Sequence, residues 1–380
     1  MENDPIYLDH NATTPLLPEV VDAMLPYLRE HFGNPSSGHI YGARARSAVG
    51  RAREQVAELL GCDSDEIVFT SGGTEANNLA IRGVTEVLQA RSHVVTTVIE
   101  HPATERPCAW LQNHGRSVTR VGVAADGRAD TDGARAAIDG DTALVTVMHS
   151  NNETGVLQPV AEWAQLARSA GALMHTDAAQ SLGKVPVRVR ELDVDLLSIA
   201  GHKLYAPKGV GALFVRRGTP IAPVLVGAGH ERGLRPGTEN VPFIVGLGAA
   251  CSLASADLAA EAGRQRVLRD ALWAALRAEV AGVVLLGHAM ERLPNTLNVS
   301  FPGVRGSAIL AAAPEIAAST GSACHEGGET ASAVLTAMGI DTATALGAVR
   351  LTLGRGTTAA QVVAAVTALA RAYLSLVVQA

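Results

Sequence analysis

Cysteine is scarce in this sequence: its 380 residues contain four, Cys62, Cys108, Cys251 and Cys324. The four are widely separated, and no two of them form a C-x-x-C pair. Such spacing excludes the common zinc-binding motifs, and it provides no disulfide framework for a chain of this length. We therefore expect no metal site, and we expect a cytoplasmic protein.

Basic clusters and long apolar runs are also missing. The chain has 31 Lys and Arg residues against 37 Asp and Glu residues, a formal charge of −6. No run of basic residues is present, so direct nucleic-acid binding and binding to anionic membranes are not expected. The first residues, "MENDPIYLDHNATTP", are acidic and polar, unlike a secretory signal. We judge no apolar stretch long enough to cross a bilayer, which takes about 20 residues.

The rest of the composition is that of a globular protein, with 47% hydrophobic and 18% charged residues. Short apolar runs alternate with helix-like segments in the first half, as in a buried parallel sheet with helical crossovers. This alternation predicts a doubly wound α/β fold with a mostly parallel sheet. The predicted strands cover residues 66–71, 93–100, 143–149, 172–177, 195–200 and 210–217, and the predicted helices include 74–89 and 160–170.

The length of the chain and a change in sequence character predict two domains. From about Val245 to Val280 the sequence is Ala-rich and typical of a helix, and the segments after it have the mixed pattern of an α+β unit. We predict an N-terminal segment, 1–15, that packs with the small domain, a large cofactor-binding domain over 16–255, and a small domain over 256–380 that carries Cys324.

Polar side chains stand where the predicted strands end. In open α/β sheets, ligands bind beyond the carboxyl ends of the strands, so we expect these residues to meet at one edge. Gly73 and Thr74 open a helix, where backbone N–H groups and a hydroxyl suit a phosphate. Each of these residues alone is equally well a turn or cap residue, but together they predict a binding site. The others are His101, Asn152, Asp177, Gln180, His202 and Lys203.

Lys203 and Asp177 indicate which chemistry this site supports. A lysine whose pKa is lowered at a sheet edge forms a Schiff base with an aldehyde. A carboxylate on the neighbouring strand keeps a pyridine nitrogen protonated, which makes the ring an electron sink. With a phosphate cradle beside them, these residues predict a pyridoxal 5'-phosphate site. In that site His101 would stack on the ring, and Asn152 and Gln180 would act at its phenolic oxygen.

Cys324 lies in "STGSACHEGGETAS", a run of small and polar residues over 319–332. Buried cysteines usually have apolar neighbours, so packing is a poor explanation for this thiol. A reactive cysteine needs solvent access and a neighbour that favours the thiolate, and His325 is adjacent. Metal binding by this pair is disfavoured, because adjacent residues chelate poorly and no other ligand falls at the right spacing. Cys324 is therefore a candidate nucleophile.

Several motifs resemble those of one enzyme family. They span residues from about Tyr7 to Thr358, and each is weak evidence alone. Together, and in this order, they resemble the cysteine desulfurases, which belong to the class V, fold-type I pyridoxal phosphate enzymes. The motifs are "YLDHNATTP", "HFGNPSSGH", "FTSGGTEANNLAI", "HSNNETGVLQP", "HTDAAQSLGKVPV", "SIAGHKLYAPKGVGAL", "GHERGLRPGTENVP", "LPNTLNVSF", "GSAC" and "VRLTLGR".

The resemblance implies a role for each matching residue. Lys203 matches the Schiff-base lysine, Asp177 the partner of the pyridine nitrogen, and His101 the stacking, catalytic histidine. Cys324 matches the nucleophile that takes sulfur from L-cysteine, leaving L-alanine and a persulfide for a sulfur-acceptor protein. The other matches are Asn152 and Gln180 at the ring oxygen, Gly73, Thr74 and His202 at the phosphate, Thr238 from the second subunit of a homodimer, and Arg350, with Asn152, at the substrate.

The sequence departs from the family pattern at two places. Ala200 stands where the family usually has a serine before "GHK", so one phosphate hydroxyl is lost and somewhat weaker cofactor binding is expected. After Cys324, "HEGGE" replaces a Ser/Thr/Ala-rich run, and the proline expected near Ala331 is missing. The spacing from Cys324 to Leu335 nevertheless matches the longer-loop members, which pass sulfur to several acceptors.

Three other functions fit part of the sequence. Selenocysteine lyases are close relatives, but their selenium-selective members carry an acidic residue after the stacking histidine, where this chain has Pro102. A class V aminotransferase or lyase in which Cys324 is incidental is a second alternative. A non-enzymatic, partner-binding protein is a third, disfavoured because Lys203 and Asp177 are both present.

Overall fold

The computed structural model describes residues 4–321, 323–325 and 328–378, and for residues 322–328 it describes no side chain. The helices are α1 (Pro18–Arg29), α2 (Ile40–Leu60), α3 (Gly73–Val87), α4 (Pro102–Asn113), α5 (Thr131–Ala137), α6 (Val160–Ser169), α7 (Val189–Leu192), α8 (Val241–Glu279), α9 (Gly306–Ala312), α10 (Ala333–Ala337), α11 (Thr342–Leu346) and α12 (Ala359–Val377). The strands are β1 (Ile6–Tyr7), β2 (Ile67–Thr70), β3 (His93–Thr97), β4 (Ser117–Val121), β5 (Thr142–Met148), β6 (Leu173–Asp177), β7 (Leu196–Ala200), β8 (Gly211–Val215), β9 (Val284–Leu285), β10 (Thr296–Ser300), β11 (Ile316–Ala317), β12 (Ala323–His325), β13 (Gly328–Thr330) and β14 (Ala348–Thr352).

Seven of the described strands form one sheet, in the order β2-β8-β7-β6-β5-β3-β4. Neighbours from β7 to β4 are parallel, whereas β8 is antiparallel to both β7 and β2. The predicted, mostly parallel α/β sheet is therefore confirmed. The edge strand β4 was not predicted, because its residues alternate in exposure instead of forming a buried apolar run.

The register of the central strands brings their carboxyl ends level. Met148 at the end of β5 pairs with Asp177 of β6, and Asp177 pairs in turn with Ser198 of β7. Two helices begin at the same edge of the sheet: α3 starts at Gly73, soon after β2, and α4 is capped by His101, after β3. This edge therefore collects side chains from several separate motifs.

The C-terminal part of the chain forms a second group of elements. Strands β14, β10 and β9 make an antiparallel sheet, and their buried side chains pack with those of α9, α12 and the second half of α8. Leu8 joins this hydrophobic cluster, and β1 pairs in parallel with β11. A separate cluster contains side chains from Val20 to Ala254. The domain boundary near residue 255 stays a prediction, and α8 runs through it with a non-helical backbone at Asp257 (φ −136°, ψ 15°).

The helices α8 and α12 have the length and apolar character of membrane-spanning helices. The expectation that no apolar stretch is long enough was therefore wrong for these two. Core helices satisfy the same criteria, and both α8 and α12 contribute buried side chains to the hydrophobic clusters.

Candidate active site

A cavity of about 230 Å³ lies at the carboxyl edge of the large sheet. It is bounded by the ends of β5, β6 and β7 and by the first residues of α3 and α4. The structure brings most of the predicted site residues to this one cavity. Its lining contains the predicted Gly73, Thr74, His101, Asn152, Asp177, Gln180, His202 and Lys203, together with Ala103, Met148, Ser150, Ala179 and Ala200.

Lys203 ends a 3-10 turn (Gly201–Lys203) that follows β7 directly. Its Nζ donates to two backbone carbonyls, Asn11 O at 2.5 Å and Ala12 O at 2.8 Å. Burial lowers the pKa of the Lys203 ammonium to about 8; the charge of Arg350 acts in the same direction, and Asp177 and Asp9 oppose it. A fraction of this amine is therefore neutral near physiological pH, as a nucleophilic lysine requires.

Asp177 is the last residue of β6 and is buried. Its Oδ2 accepts a hydrogen bond from Asn77 Nδ2 at 2.7 Å, and its Oδ1 accepts one from the Ala179 N–H at 2.9 Å. Two donors fix the carboxylate at the cavity wall, because hydrogen bonding to a charged group compensates for its burial. Asp177 is thereby placed to pair with a cationic ring nitrogen.

His101 is the N-cap residue of α4, and its ring lines the cavity. Its Nδ1 accepts a hydrogen bond from the Ala103 N–H at 3.1 Å, so in the neutral ring the proton is on Nε2. Burial lowers the pKa of His101, and although Asp177 raises it, Lys203 adds to the lowering. His101 is therefore a neutral imidazole at the cavity wall near physiological pH.

The start of α3 offers backbone donors to an anion. The N–H groups in the first turn of a helix have no intrahelical partner and carry partial positive charge. Gly72, just before α3, has φ 152° and ψ −177°, a conformation open only to glycine. A Cβ on Gly73 would lie 3.3 Å from the Cβ of Ala200, so the floor of this cradle is tightly packed. Thr74 adds a hydroxyl on the same turn.

These residues fit pyridoxal phosphate. A buried carboxylate, a lysine of lowered pKa and a helix N-terminus with a glycine floor share one cavity. His202, whose ring contacts Thr13 Oγ1 at 3.2 Å, has its pKa lowered to about 4 by burial and by Lys203, so it is neutral beside the cradle. Asp177 would hold the ring nitrogen, Lys203 the aldehyde carbon, and Gly73 and Thr74 the phosphate.

Gln180 is held by a residue that the sequence did not single out. Lys184 is buried, and its Nζ donates to Gln180 O at 2.8 Å and to Gln180 Oε1 at 3.3 Å. Gln180 Nε2 donates to Asn11 O at 2.9 Å, the same carbonyl that accepts from Lys203. The Asn11 carbonyl can only accept, so it fixes the position of Gln180 Nε2 and leaves Oε1 facing the Lys184 amino group. Burial lowers the pKa of Lys184 to about 7.

Arg350, in β14, lies behind Asn152 rather than in the cavity lining. Its Nη1 donates to Asn152 O at 3.0 Å, and its Nη2 donates to Asp9 Oδ1 at 2.7 Å. Its Nε is buried and has no hydrogen-bond partner among the described residues. The guanidinium is thus oriented by Asp9 and Asn152, directly behind the cavity wall.

Comparisons with known proteins agree with this geometry. The aminotransferase class-V family model matches residues 6–364. A cysteine desulfurase of Trichormus azollae is 46% identical over 359 residues, which cover 94% of this chain and 90% of that protein. The chain belongs to the cysteine desulfurases. Two solved structures are similar: a NifS-like protein (37% identity, TM-score 0.92, covering 98% of this chain and 100% of that one) and "SspA in complex with cysteine" (36%, 0.81, 91% and 98%).

The desulfurase family depends on pyridoxal phosphate, and this chain is an enzyme of that family. The predicted departure at Ala200 falls inside the cavity, next to Gly73, where the missing serine hydroxyl would face the phosphate cradle. Pro102 takes the first helical position of α4, where its missing N–H costs nothing.

Thr238, like Arg350, is outside the cavity lining. Thr238 lines a separate surface groove with Arg46, Arg53 and His230. Cys324 lies in the short strand β12, where it pairs with Glu329 of β13. The side chain of Cys324, and that of His325, lie outside the part of the chain that the structure describes.

Four residues that orient the predicted ones were not predicted from the sequence. Asp9 and Asn11 belong to "YLDHNATTP", Asn77 to "FTSGGTEANNLAI", and Lys184 to "HTDAAQSLGKVPV". All four lie in motifs that carried the family resemblance, and that was the signal available. For three of the four, the partner is distant in the chain: Asp9 contacts Arg350, Asn11 contacts Lys203, and Asn77 contacts Asp177. Lys184 contacts Gln180, which is close to it in the chain.

Proposed function

We propose that this chain binds pyridoxal 5'-phosphate and removes sulfur from L-cysteine, leaving L-alanine and a persulfide on Cys324 that passes to an acceptor protein. The observation that carries the proposal is the single cavity shared by Lys203, Asp177 and the start of α3. The cysteine desulfurase relatives and the similar structure in complex with cysteine support L-cysteine as the substrate.

Each described side chain has a task in this reaction. The guanidinium of Arg350 binds the substrate carboxylate and orients the amino acid. The Asn152 carbonyl accepts from Arg350, and Asn152 also lines the cavity, so this residue connects Arg350 to the cavity wall. Pyridoxal phosphate, when bound, supplies an electron sink that stabilises negative charge on the substrate carbons. Lys203, with a pKa of about 8, can both accept and return a proton at the substrate carbon near physiological pH.

The sulfur transfer itself balances without an external oxidant. The Cys324 thiolate attacks the sulfur of the substrate; the S–S bond forms as the Cβ–S bond breaks, and the electron pair remains on the substrate Cβ. A proton then replaces the sulfur on that carbon, giving alanine. The net change moves one sulfur atom from free cysteine into the thiol of Cys324. A low-pKa thiolate is the nucleophile that such exchange requires.

The proposal includes a homodimer, because Thr238 matches a phosphate contact that comes from the second subunit. In the single chain Thr238 lies in a surface groove away from Lys203. Complementation tests this arrangement. Lys203→Ala and Thr238→Ala proteins are each expected to be impaired, and mixed dimers should contain one intact site. Mixing that restores no activity would refute the shared site.

We also propose a cytoplasmic location. Cys62, Cys108 and Cys251 are unpaired in the described structure, and unpaired thiols are typical of compartments where glutathione and thioredoxin keep cysteines reduced.

The experiment that tests the function is alanine release from L-cysteine in the presence of a thiol reductant. The wild type is compared with Cys324→Ser and Lys203→Ala. We expect release from the wild type alone. In wild type treated with L-cysteine and no reductant, mass spectrometry should find one added sulfur on Cys324. Equal release by Cys324→Ser would favour a class V lyase with an incidental cysteine. Release from selenocysteine alone would favour the selenocysteine lyase.

A further inference from the structure

Both ends of the segment that contains Cys324 meet at one carboxylate. We call residues 321–332 the thiol segment. Ser332, its last residue, donates its hydroxyl proton to Glu153 Oε2 at 2.5 Å. At the other end, a Cβ built on Gly321 would lie 2.5 Å from the same Oε2 and 3.3 Å from the Cβ of Ser332. The absence of a side chain at position 321 permits this approach, because a Cβ there would force the Glu153 carboxyl group to shift.

The hydroxyl of Ser332 donates one hydrogen bond and accepts two. It caps α10 by accepting from the N–H groups of Val334 at 3.1 Å and Leu335 at 3.3 Å. Its proton is therefore directed at Glu153, because both lone pairs are occupied. Val334 and Leu335 are buried in a cluster with Met148, which lines the cofactor cavity. The end of the thiol segment is thus attached to the cavity wall through α10.

Glu153 is itself held in place by its backbone. Its N–H donates to Asn151 Oδ1 at 2.9 Å, and its carbonyl accepts from Asn298 Nδ2 at 3.1 Å. The residue before it, Asn152, lines the cavity and accepts from Arg350. A carboxylate on so constrained a backbone is a fixed point next to the groups that would hold the substrate.

The chain entering the thiol segment is tied to Arg350 as well. The Arg350 N–H donates to Ser319 O at 2.7 Å, and Ser319 Oγ donates to Asp9 Oδ2 at 2.8 Å. Asp9 is the residue that pairs with the Arg350 guanidinium. Substrate-binding residues and both ends of the thiol segment therefore share one hydrogen-bonded network.

We propose that Glu153 is a positioning residue for sulfur transfer: it fixes where the thiol segment leaves and rejoins the fold, relative to the cofactor cavity. This inference rests on the proposed function for the identity of Cys324 as the nucleophile. Glu153 does not line the cofactor cavity, so its loss should slow persulfide formation and leave cysteine binding unchanged.

The experiment uses the holoenzyme and four variants. Glu153→Ala removes the carboxylate, Ser332→Ala removes the donor, the double variant removes both, and Glu153→Gln keeps an oxygen that can accept from Ser332. Asp341→Ala is the matched control, since Asp341 caps α11, a five-residue helix in the same region, through Thr344 N at 3.0 Å. Three quantities are measured: amide hydrogen exchange over residues 319–333, cysteine binding from the cofactor absorbance, and the single-turnover rate of persulfide formation.

We expect Glu153→Ala to slow persulfide formation about tenfold, the effect of losing one hydrogen bond to a charged group. Exchange over 319–333 should quicken by a similar factor, while the Kd for cysteine stays constant. Ser332→Ala should act in the same direction, the double variant should be no worse than Glu153→Ala, and Glu153→Gln should restore most of the rate. The rates and exchange measured for Glu153→Ala and Ser332→Ala are compared with those of the control, Asp341→Ala.

Three results would overturn the inference. One is unchanged exchange over 319–333 in Glu153→Ala. Another is a loss of rate in Asp341→Ala equal to that in Glu153→Ala, which would mean that general destabilisation is the cause. The third is an effect on cysteine binding with no effect on the single-turnover rate. If the wild type forms no persulfide, the proposed function fails, and the exchange measurement still decides whether Glu153 anchors the segment.

Discussion

Glu100, directly before His101, is expected to make the stability of this protein fall as pH rises. Its Oε1 accepts from Thr97 Oγ1 at 2.7 Å and from the Met148 N–H at 3.0 Å, while Oε2 is buried without a partner among the described residues. Burial raises the pKa of Glu100 from 4.5 to about 8, although both hydrogen bonds oppose the shift. The carboxyl group is therefore protonated in the native state at neutral pH.

The sign and size of the effect follow from proton linkage. Between pH 4.5 and about 8 the native state keeps a proton on Glu100 that the unfolded state has lost. Stability then falls with rising pH by about 1.4 kcal/mol per pH unit, or about 4 kcal/mol between pH 5 and pH 9. Glu100→Gln cannot ionise, so its stability relative to the wild type should grow by about that amount over the same interval.

Denaturant unfolding of the holoenzyme and of Glu100→Gln, at a series of pH values, measures this difference. Glu19→Gln, on the exposed face of α1, controls for the change in net charge. A difference between Glu100→Gln and the wild type that stays constant from pH 5 to pH 9 would show that Glu100 is ionised throughout. The reasoning from its buried, unpaired oxygen would then be wrong.

Three further predictions concern the cofactor cavity. Ala200→Ser restores a hydroxyl beside Gly73, and a hydrogen bond of about 1 kcal/mol should lower the Kd for pyridoxal phosphate about fivefold in an absorbance titration of the apoprotein; an unchanged Kd would contradict the placement of the phosphate. Because the pKa of Lys203 is about 8, cofactor uptake by the apoprotein should quicken as pH rises towards 8 and level off above it, followed by stopped-flow absorbance; a rate independent of pH below 8 would count against this. Lys184→Met removes the donor to Gln180 Oε1 and should shift the pH midpoint of the bound cofactor's visible band. The shift should be smaller in Lys184→Arg, which keeps a donor. Equal shifts in both variants would show that the Lys184 amino group does not orient Gln180.

The parts of the fold that could be predicted from the sequence are those where one local pattern decides the structure. Buried parallel strands require continuous apolar runs, so β5, β6 and β7 were predicted to within a residue or two at their ends. Polar residues directly after such runs lie at the carboxyl edge of the sheet, which is why Asp177 and Lys203 could be placed at one sheet edge. The predicted helix from Val245 in fact starts at Val241, after the cap Asn240.

The residues that could not be predicted act through contacts distant in the chain or through the backbone. Asn11 accepts a hydrogen bond from Lys203 through its backbone carbonyl oxygen, a group that every residue type has. A lysine in a loop is usually solvated, so nothing local marks Lys184 as buried. Glu153 lies in a motif that was quoted, yet its importance depends on Gly321 and Ser332, more than 160 residues further on.

The reversed strand β8 has a consequence for the size of ligand that the fold accepts. Because β8 is antiparallel to both neighbours, β2 and β7 point the same way and end at the same edge, two strand positions apart. Strands lie about 4.8 Å apart, so roughly 10 Å separates the ends of β2 and β7. The residues after β2 cross over β8, and this brings Gly73 next to Ala200 at the end of β7. The start of α3 and Lys203 therefore line one small cavity, which suits a ligand whose anionic group lies close to its reactive carbon.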